Sequence, residues 1–331
     1  MTRYSNGLIS LVLAGLLAGC GGGGGGGGTT ASTAPPTTPV TTVAPGGTVS
    51  SVSGSLTASN LSFPEGLAVS PDGSTLYVAN TSGNSVTEIN LTNAGYPQTK
   101  LQLWQSANPT LAFDLQAPAG LVVSPDSKTL YVANFGTSGN AGFIAAVNLS
   151  DGVSSQLAYS GAPGIDNPTG LAVSSDGTAL YIANHGGQNV MQGTTASPYT
   201  SPGYYSSSAT PINPWDVLLS PTGATSGTLY VSDNEAGTIG TLTVSAGAIQ
   251  PGSYKLLTGG LDEPTGMAMI GSYLYIASYQ GKLIDKIDPI TGAVVETLDV
   301  TPHQPFFLAT DGTHLFFTDG NDGSVDEIVQ P

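Results

Sequence analysis

Pro64-Glu65-Gly66-Leu67-Ala68-Val69-Ser70-Pro71-Asp72-Gly73, followed by Leu76-Tyr77-Val78-Ala79-Asn80, is the stretch from which the rest of the sequence can be read. Its first half is a run of small apolar residues ending in a turn: Pro71 presets φ, Asp72 bonds its own backbone, and Gly73 closes the reversal. Its second half is a β-branched and aromatic strand. Both phrases return at Pro118-Ala119-Gly120 with Leu130-Tyr131-Val132-Ala133-Asn134, and at Pro168-Thr169-Gly170 with Leu180-Tyr181-Ile182-Ala183-Asn184. They return with more substitution at Pro214-Trp215-Asp216 with Leu229-Tyr230-Val231-Ser232-Asp233, and at Pro264-Thr265-Gly266 with Leu274-Tyr275-Ile276-Ala277-Ser278. The most worn copy is Pro305-Phe306-Phe307 with Leu315-Phe316-Phe317-Thr318-Asp319. Segments such as Ser85-Val86-Thr87-Glu88-Ile89-Asn90 alternate polar and apolar residues, as a third strand does. Lys100-Leu101-Gln102-Leu103-Trp104 reads as a fourth, edge-like strand. No segment carries a long 3.6-residue apolar period, so the repeated region is all-β.

Six copies across residues 48–331 give about 47 residues each. Through its Pro-x-Gly and Leu-Tyr-Val-Ala-Asn elements the region resembles the β-propeller families with NHL and YVTN-type repeats. The resemblance covers roughly residues 60–331 and implies a six-bladed β-propeller. The last copy ends at Ile328-Val329 with no room for a fourth strand, whereas residues 48–58 are β-prone and precede the first copy. An N-terminal strand from that segment is therefore expected to close the ring, which also removes exposed sheet edges. An open solenoid would need polar capping repeats, and none is evident.

Ahead of the repeats the chain reads differently. Arg3 supplies a positive start, and residues 8–17 form an apolar run too short to span a bilayer as a helix. Leu17-Ala18-Gly19-Cys20 then resembles the bacterial lipoprotein lipobox, with small residues before a cysteine that becomes acylated. This organisation predicts a signal peptide over 1–19, lipidation at Cys20, and a Gly/Thr/Pro-rich flexible linker over 20–47 that cannot bury enough surface to order itself. Gly21 rather than Asp after the cysteine points, by the same resemblance, to the outer membrane. The glycine run over 21–28 is no phosphate loop, because no strand precedes it and no Gly-Lys-Ser/Thr closes it.

Composition narrows the partners. Acidic residues number 22 against 6 basic ones, and Arg3 is the sole arginine, so nucleic acid and anionic lipid surfaces are poor fits. The single cysteine rules out an intramolecular disulfide framework and a Cys zinc site. The expected product is a monomer held to the membrane by its lipid alone.

Strand order places two rings of residues on one face. One ring lies at the x of Pro-x-Gly: Glu65, Ala119, Thr169, Trp215, Thr265 and Phe306. The other follows each second strand: Asn80, Asn134, Asn184, Asp233, Ser278 and Asp319. Two readings of the second ring stand side by side. Its side chains fix loop backbones, or they line a polar pocket with Phe135, His185, Trp215 and Tyr279 as walls. Trp215 is equally a binding anchor or a channel plug.

The repeat pattern is also distantly similar to gluconolactonase-like propellers. That resemblance implies an axial divalent metal, such as Ca2+, held by Glu, Asn and Asp at Pro-x-Gly-type positions. Only Glu65 matches here; Asp233 and Asp319 of the second ring are the remaining candidate ligands. No serine sits in a nucleophile elbow, and His185, His303 and His314 read as loop residues. The function expected is therefore a non-enzymatic envelope lipoprotein whose propeller face binds a protein, peptide or neutral glycan. The alternative is a lactonase or hydrolase with an atypical metal site.

Overall fold

A computed structural model of the chain describes residues 49–50 and 61–331, apart from 94, 107, 138–141, 160–163, 198, 201–202, 207–211, 321 and 330. The leader, Cys20 and the linker lie outside the described residues. Every regular element among the described residues is a strand, and the strands fall into six sheets.

Blade 1 holds Pro64–Val69, Thr75–Asn80, Ser85–Asn90 and Gln98–Lys100 in that order outward. Blade 2 runs from Pro118–Val123 to Val153–Leu157, and blade 3 from Pro168–Val173 to Gly203–Tyr205. Blade 4 begins at Pro214–Gly223; its third strand, Thr238–Ser245, pairs with both Ala248–Ile249 and Lys255–Gly259. Blade 5 runs from Pro264–Ile270 to Val294–Asp299. Blade 6 has Pro305–Thr310, His314–Asp319 and Val325–Val329.

The outer strand of blade 6 is Val49–Ser50, with Val49 opposite Ile328 and Ser50 opposite Glu327. The ring is thus closed by an N-terminal strand, as the missing fourth strand of the last copy requires. Residues 51–58 of the segment expected to do this lie outside the described residues. Each inner strand touches the next around the ring, and the inner strands of blades 6 and 1 touch in turn. The fold is a six-bladed β-propeller.

The core lies in the seams. Leu67, Leu76 and Val78 of blade 1 pack with Ala309, Phe316 and Val325 of blade 6, and each of the other five blade junctions holds a similar cluster. Burial of one such Leu, Val or Phe contributes about 1.5–3 kcal/mol, so the closing seam matches its neighbours in kind.

One sequence expectation is corrected. Residues 100–104 do not form the fourth strand of blade 1; that strand stops at Lys100, and Trp104–Gln105 pairs parallel with Val153 and Ser154 of blade 2. The reason is apolar. Leu101 is buried and Leu103 partly so in the seam between blades 1 and 2, which turns the chain inward before it can continue along an edge.

The Pro-x-Gly element has a steric cause. Its inner strand carries a bulge between Pro and the residue after Gly, and the glycine lies flat against the next blade. A Cβ on Gly66 would overlap the Ala119 carbonyl, and one on Gly120 the Thr169 carbonyl. Blades 4 and 6 depart from this rule with Asp216 and Phe307 in the glycine position. Both also replace the alanine of Leu-Tyr-Val-Ala-Asn by a hydroxyl residue. Ser232 Oγ accepts from Asp216 N–H (2.9 Å) and donates to the Thr265 carbonyl (2.7 Å). Thr318 Oγ1 accepts from Phe307 N–H (3.0 Å) and donates to the Glu65 carbonyl (2.8 Å). The residue before proline differs too. It is left-handed at Phe63, Ala117, Asn167 and Glu263, but not at Asn213 or Gln304 of blades 4 and 6. The molecule therefore has two kinds of blade entrance.

Candidate functional site

Antiparallel pairing sets the two sequence rings at one end of the blades. Pro64 lies opposite Asn80, Pro118 opposite Asn134, Pro168 opposite Asn184, Pro214 opposite Asp233, Pro264 opposite Ser278 and Pro305 opposite Asp319.

The second ring lies beneath this face rather than on it. Asn80, Asn134, Asn184, Asp233 and Asp319 are all buried. Asn134 Oδ1 accepts from Gln116 N–H (2.9 Å), Asn184 Oδ1 from Asp166 N–H (2.7 Å), and Asn80 Oδ1 from Ser62 N–H (3.3 Å). In the blades without glycine the bond moves one residue closer to proline. Asp233 Oδ2 accepts from Asn213 N–H (3.1 Å), and Asp319 Oδ1 from Gln304 N–H (3.0 Å). These five side chains fix the loops that feed the inner strands, so their polar atoms face their own blades.

The first ring mixes small and large side chains. Ala119 and Thr169 are fully buried, and the Thr169 and Thr265 hydroxyls donate to the Ala183 and Ala277 carbonyls of their own blades (both 3.3 Å). The variant blades, on either side of Thr265, instead project Trp215 and Phe306, whose rings meet edge-to-face at 5.5 Å. Phe306 meets Tyr279 at 5.1 Å, Trp215 meets His185 at 4.9 Å, and His185 meets Phe135 at 6.3 Å. Aromatic pairs at such spacings and angles attract through their quadrupoles, each by about 0.5–1.5 kcal/mol. Four of the walls read from sequence, Phe135, His185, Trp215 and Tyr279, are thus joined through Phe306 into one cluster across the mouth of the ring. Trp215 keeps 8% of its surface exposed, so it is mostly packed, as a plug is.

Electrostatics at the mouth favour neutral groups. Burial pushes the Glu65 carboxyl up to about 8, offset only in part by the Thr81 hydroxyl. Burial also lowers the His185 imidazole below its usual range, partly countered by the Pro214 backbone. The Tyr279 hydroxyl is raised by burial and by the nearby Glu263, Asp319 and Glu65 charges. At neutral pH Glu65 is protonated in the main, and His185 and Tyr279 are uncharged.

The residues present do not fit an axial cation. The other x positions offer no second carboxylate, and both threonine hydroxyls are turned into their blades. Nor does the structure gather Glu65, Asp233 and Asp319 as one ligand set. Among the described residues, the groups near enough to share an ion are His303, Asp319 and Asp322, whose ligand atoms lie within 4.8 Å of one another. The physical reason is the loop-fixing role above: Asp233 and Asp319 each spend their oxygens on their own blade. His303 was not singled out by the sequence. Its Nδ1 lies 2.5 Å from Asp319 Oδ2 and 3.4 Å from Asp326 Oδ2, which makes it part of the blade 6 framework.

Comparison with known proteins extends the fold and nothing finer. No protein-family model matches the chain, and no curated protein matches its sequence. Solved structures do resemble it. A putative gluconolactonase is 12% identical with a TM-score of 0.61, over 86% of this chain and 92% of that one. A virginiamycin B lyase from Staphylococcus aureus is 18% identical with a TM-score of 0.56, over 82% and 85%. A nidogen/laminin complex gives 18% identity and a TM-score of 0.56, over 71% and 79%. At such identities the likeness shows the propeller fold, on which unrelated functions are built.

Proposed function

We propose that this chain is a lipid-anchored envelope protein whose propeller mouth binds an uncharged ligand without transforming it. The observation that carries this reading is the Phe135–His185–Trp215–Phe306–Tyr279 cluster, in which aromatic rings and uncharged polar side chains converge at one end of the ring. Binding sites favour such mouths, with a few polar groups among apolar ones. Support for a non-enzymatic role comes from the donor set: one protonated carboxyl, no partner carboxylate beside it at the axis, and hydroxyls committed to backbone. Support for the anchor comes from Leu17-Ala18-Gly19-Cys20 and the absence of any other cysteine. The lipid would sit in the outer membrane, with the linker letting the propeller sample its surroundings.

The test is capture from solubilised envelope by the acylated protein, compared with a His185→Ala variant whose melting temperature is unchanged. A component enriched by the first and lost with the second supports the reading. Equal enrichment by both removes the mouth from the function.

A further inference from the structure

Large apolar side chains left in water and gathered at one place on a folded domain mark a contact surface. Five of the seven large apolar residues exposed among the described residues lie at one end of two adjoining blades: Tyr273, Ile290, Val294, Val295 and Val329. Strand pairing fixes their place. In blade 5, Pro264 opposite Ser278 marks the mouth end, so Ile270 opposite Tyr273 and Ile287 opposite Val294 mark the far end. In blade 6, Pro305 opposite Asp319 marks the mouth end and His314 opposite Val329 the far end. Ile290, in the turn between Ile287 and Val294, is 90% exposed. The two blades are bridged there. The Tyr275 hydroxyl donates to the Pro331 main-chain oxygen (2.9 Å), and Lys286 Nζ, 5.0 Å from the Tyr273 ring centroid, donates to the same atom (3.5 Å).

Two further observations say what covers this end. The first is where the chain enters the propeller. Val49 faces Ile328 and Ser50 faces Glu327, so the first strand starts beside Val329 and runs towards the mouth. The segment that joins it to Cys20 therefore reaches the propeller at the far end of blade 6. The second is charge. Asp72, Asp126, Asp176 and Asp311 stand in the turns after the inner strands of blades 1, 2, 3 and 6, whereas blade 5 has Gly271-Ser272 there. Of the blade 5 acids nearby, Glu296 pairs with Lys286 (3.4 Å), and Asp288 Oδ1 accepts from the Ile290 and Thr291 N–H groups (2.8 and 3.3 Å).

We propose that the far end of blades 5 and 6 rests on the bilayer that holds the Cys20 lipid, with Ile290 and its neighbours at headgroup depth and the mouth turned away from that membrane. The inference rests on the lipid-anchor reading. Interfacial binding grows with buried apolar area, and a half-exposed Tyr suits the boundary between headgroups and acyl chains. A formal charge of -16 and the four Asp turns repel anionic lipid, so the surface that fits is zwitterionic, its ammonium groups meeting Asp288 and Asp311. A tether of the length of residues 21–48 spans roughly 30 Å as a flexible coil. It holds the patch beside the bilayer at about millimolar effective concentration, so weak affinity is enough to seat it.

The experiment uses full-length acylated protein in phosphatidylcholine vesicles. An environment-sensitive nitrobenzoxadiazole label is placed on Ile290→Cys or, as the control, on Ala236→Cys in the exposed mouth-end loop of blade 4. Acylated Cys20 does not compete for the label. Nitroxide lipids in the bilayer quench a label that lies at headgroup depth. The expected result is emission shifted to the blue and quenched about twofold or more at position 290, and unchanged at 236. Val295→Glu combined with Val329→Glu, both at exposed positions, should return quenching at 290 to the level at 236 without changing the melting temperature. Equal quenching at the two positions, more at 236, or quenching at 290 that survives both Glu substitutions overturns the proposal. A blue shift at 290 that grows with protein concentration in detergent micelles, and that nitroxide lipid does not quench, assigns the patch to a second copy and overturns it too. All of these results leave the anchor standing. Protein with no fatty acid on Cys20 overturns the anchor reading, and the orientation falls with it.

Discussion

Replacing Glu65 by Gln should make the protein more stable at alkaline pH and leave it nearly unchanged in acid. Burial raises this carboxyl from 4.5 to about 8, so folding takes up a proton there across most of the neutral range. A carboxyl raised in this way contributes stability fully below its unfolded value, near 4.5. That contribution is lost as pH climbs through the folded value. A shift of about 3.5 units at 1.36 kcal/mol each puts the loss on the order of 4–5 kcal/mol by pH 9. Gln keeps the shape and has no proton to lose. At about 2–3 °C per kcal/mol for a domain of this size, the variant should melt roughly 10 °C above wild type at pH 9 and within a degree or two at pH 4.5. The assay is thermal unfolding followed by circular dichroism from pH 4.5 to 9, in the presence of a chelator. A melting difference that does not change with pH refutes the burial argument. So does a Gln variant that melts below wild type at pH 9, since that outcome means the ionised carboxylate is held by a partner.

Asp216 shares the sign, raised to about 7 by burial and only partly offset by the Met267 and Val217 N–H groups. Asp216→Ala should therefore destabilise in acid, by about 2–3 kcal/mol, and lose or reverse that penalty at pH 8, where the wild-type carboxyl has given up about 4 kcal/mol of its own contribution, read from urea midpoints at the two pH values. Cys20→Ser should abolish fatty-acid labelling and move the protein out of the membrane fraction; a labelled, sedimenting mutant removes the lipoprotein proposal. Deleting residues 48–58 should lower the melting temperature or cause aggregation by unpairing Ile328 and Glu327, whereas deleting 21–39 should leave melting unchanged. Equal and negligible effects from both deletions would count against closure by Val49–Ser50.

The fold was legible because its constraints are local and repeated. Gly66 must be glycine to clear the Ala119 carbonyl, and Asn80 must bond the loop before Pro64; both leave the same mark in copy after copy. Closure was legible from a count of strands in the last copy. The path of residues 100–104 was not, because Leu101 and Leu103 suit an edge strand and a seam equally well, and only the neighbouring blade decides. At the site, sequence named Phe135, His185, Trp215 and Tyr279 without knowing whether they meet. It also placed Asn80, Asn134, Asn184, Asp233 and Asp319 among the candidates for the face, although backbone N–H groups had already claimed their oxygens. A side chain's position in a repeat gives its blade and its end of the strand; it does not say which way the polar atoms turn. The breaks in the repeat were the better guide. Trp215 and Phe306 stand on the two blades where glycine is lost.

Closure through Val49–Ser50 also orders events in time. The pairing joins residues near 49 to residues near 328, and the Thr318 hydroxyl reaches back to the Glu65 carbonyl from the other end of the repeat region. Loop closure over such a span carries its entropy cost before any contact rewards it, so the sixth seam should form last and slowly. Until then the six blades form an arc with two apolar ends, Leu67, Leu76 and Val78 of blade 1 at one and Ala309, Phe316 and Val325 of blade 6 at the other. A chain halted before that seam closes would keep both ends open and tend to join other such chains end to end.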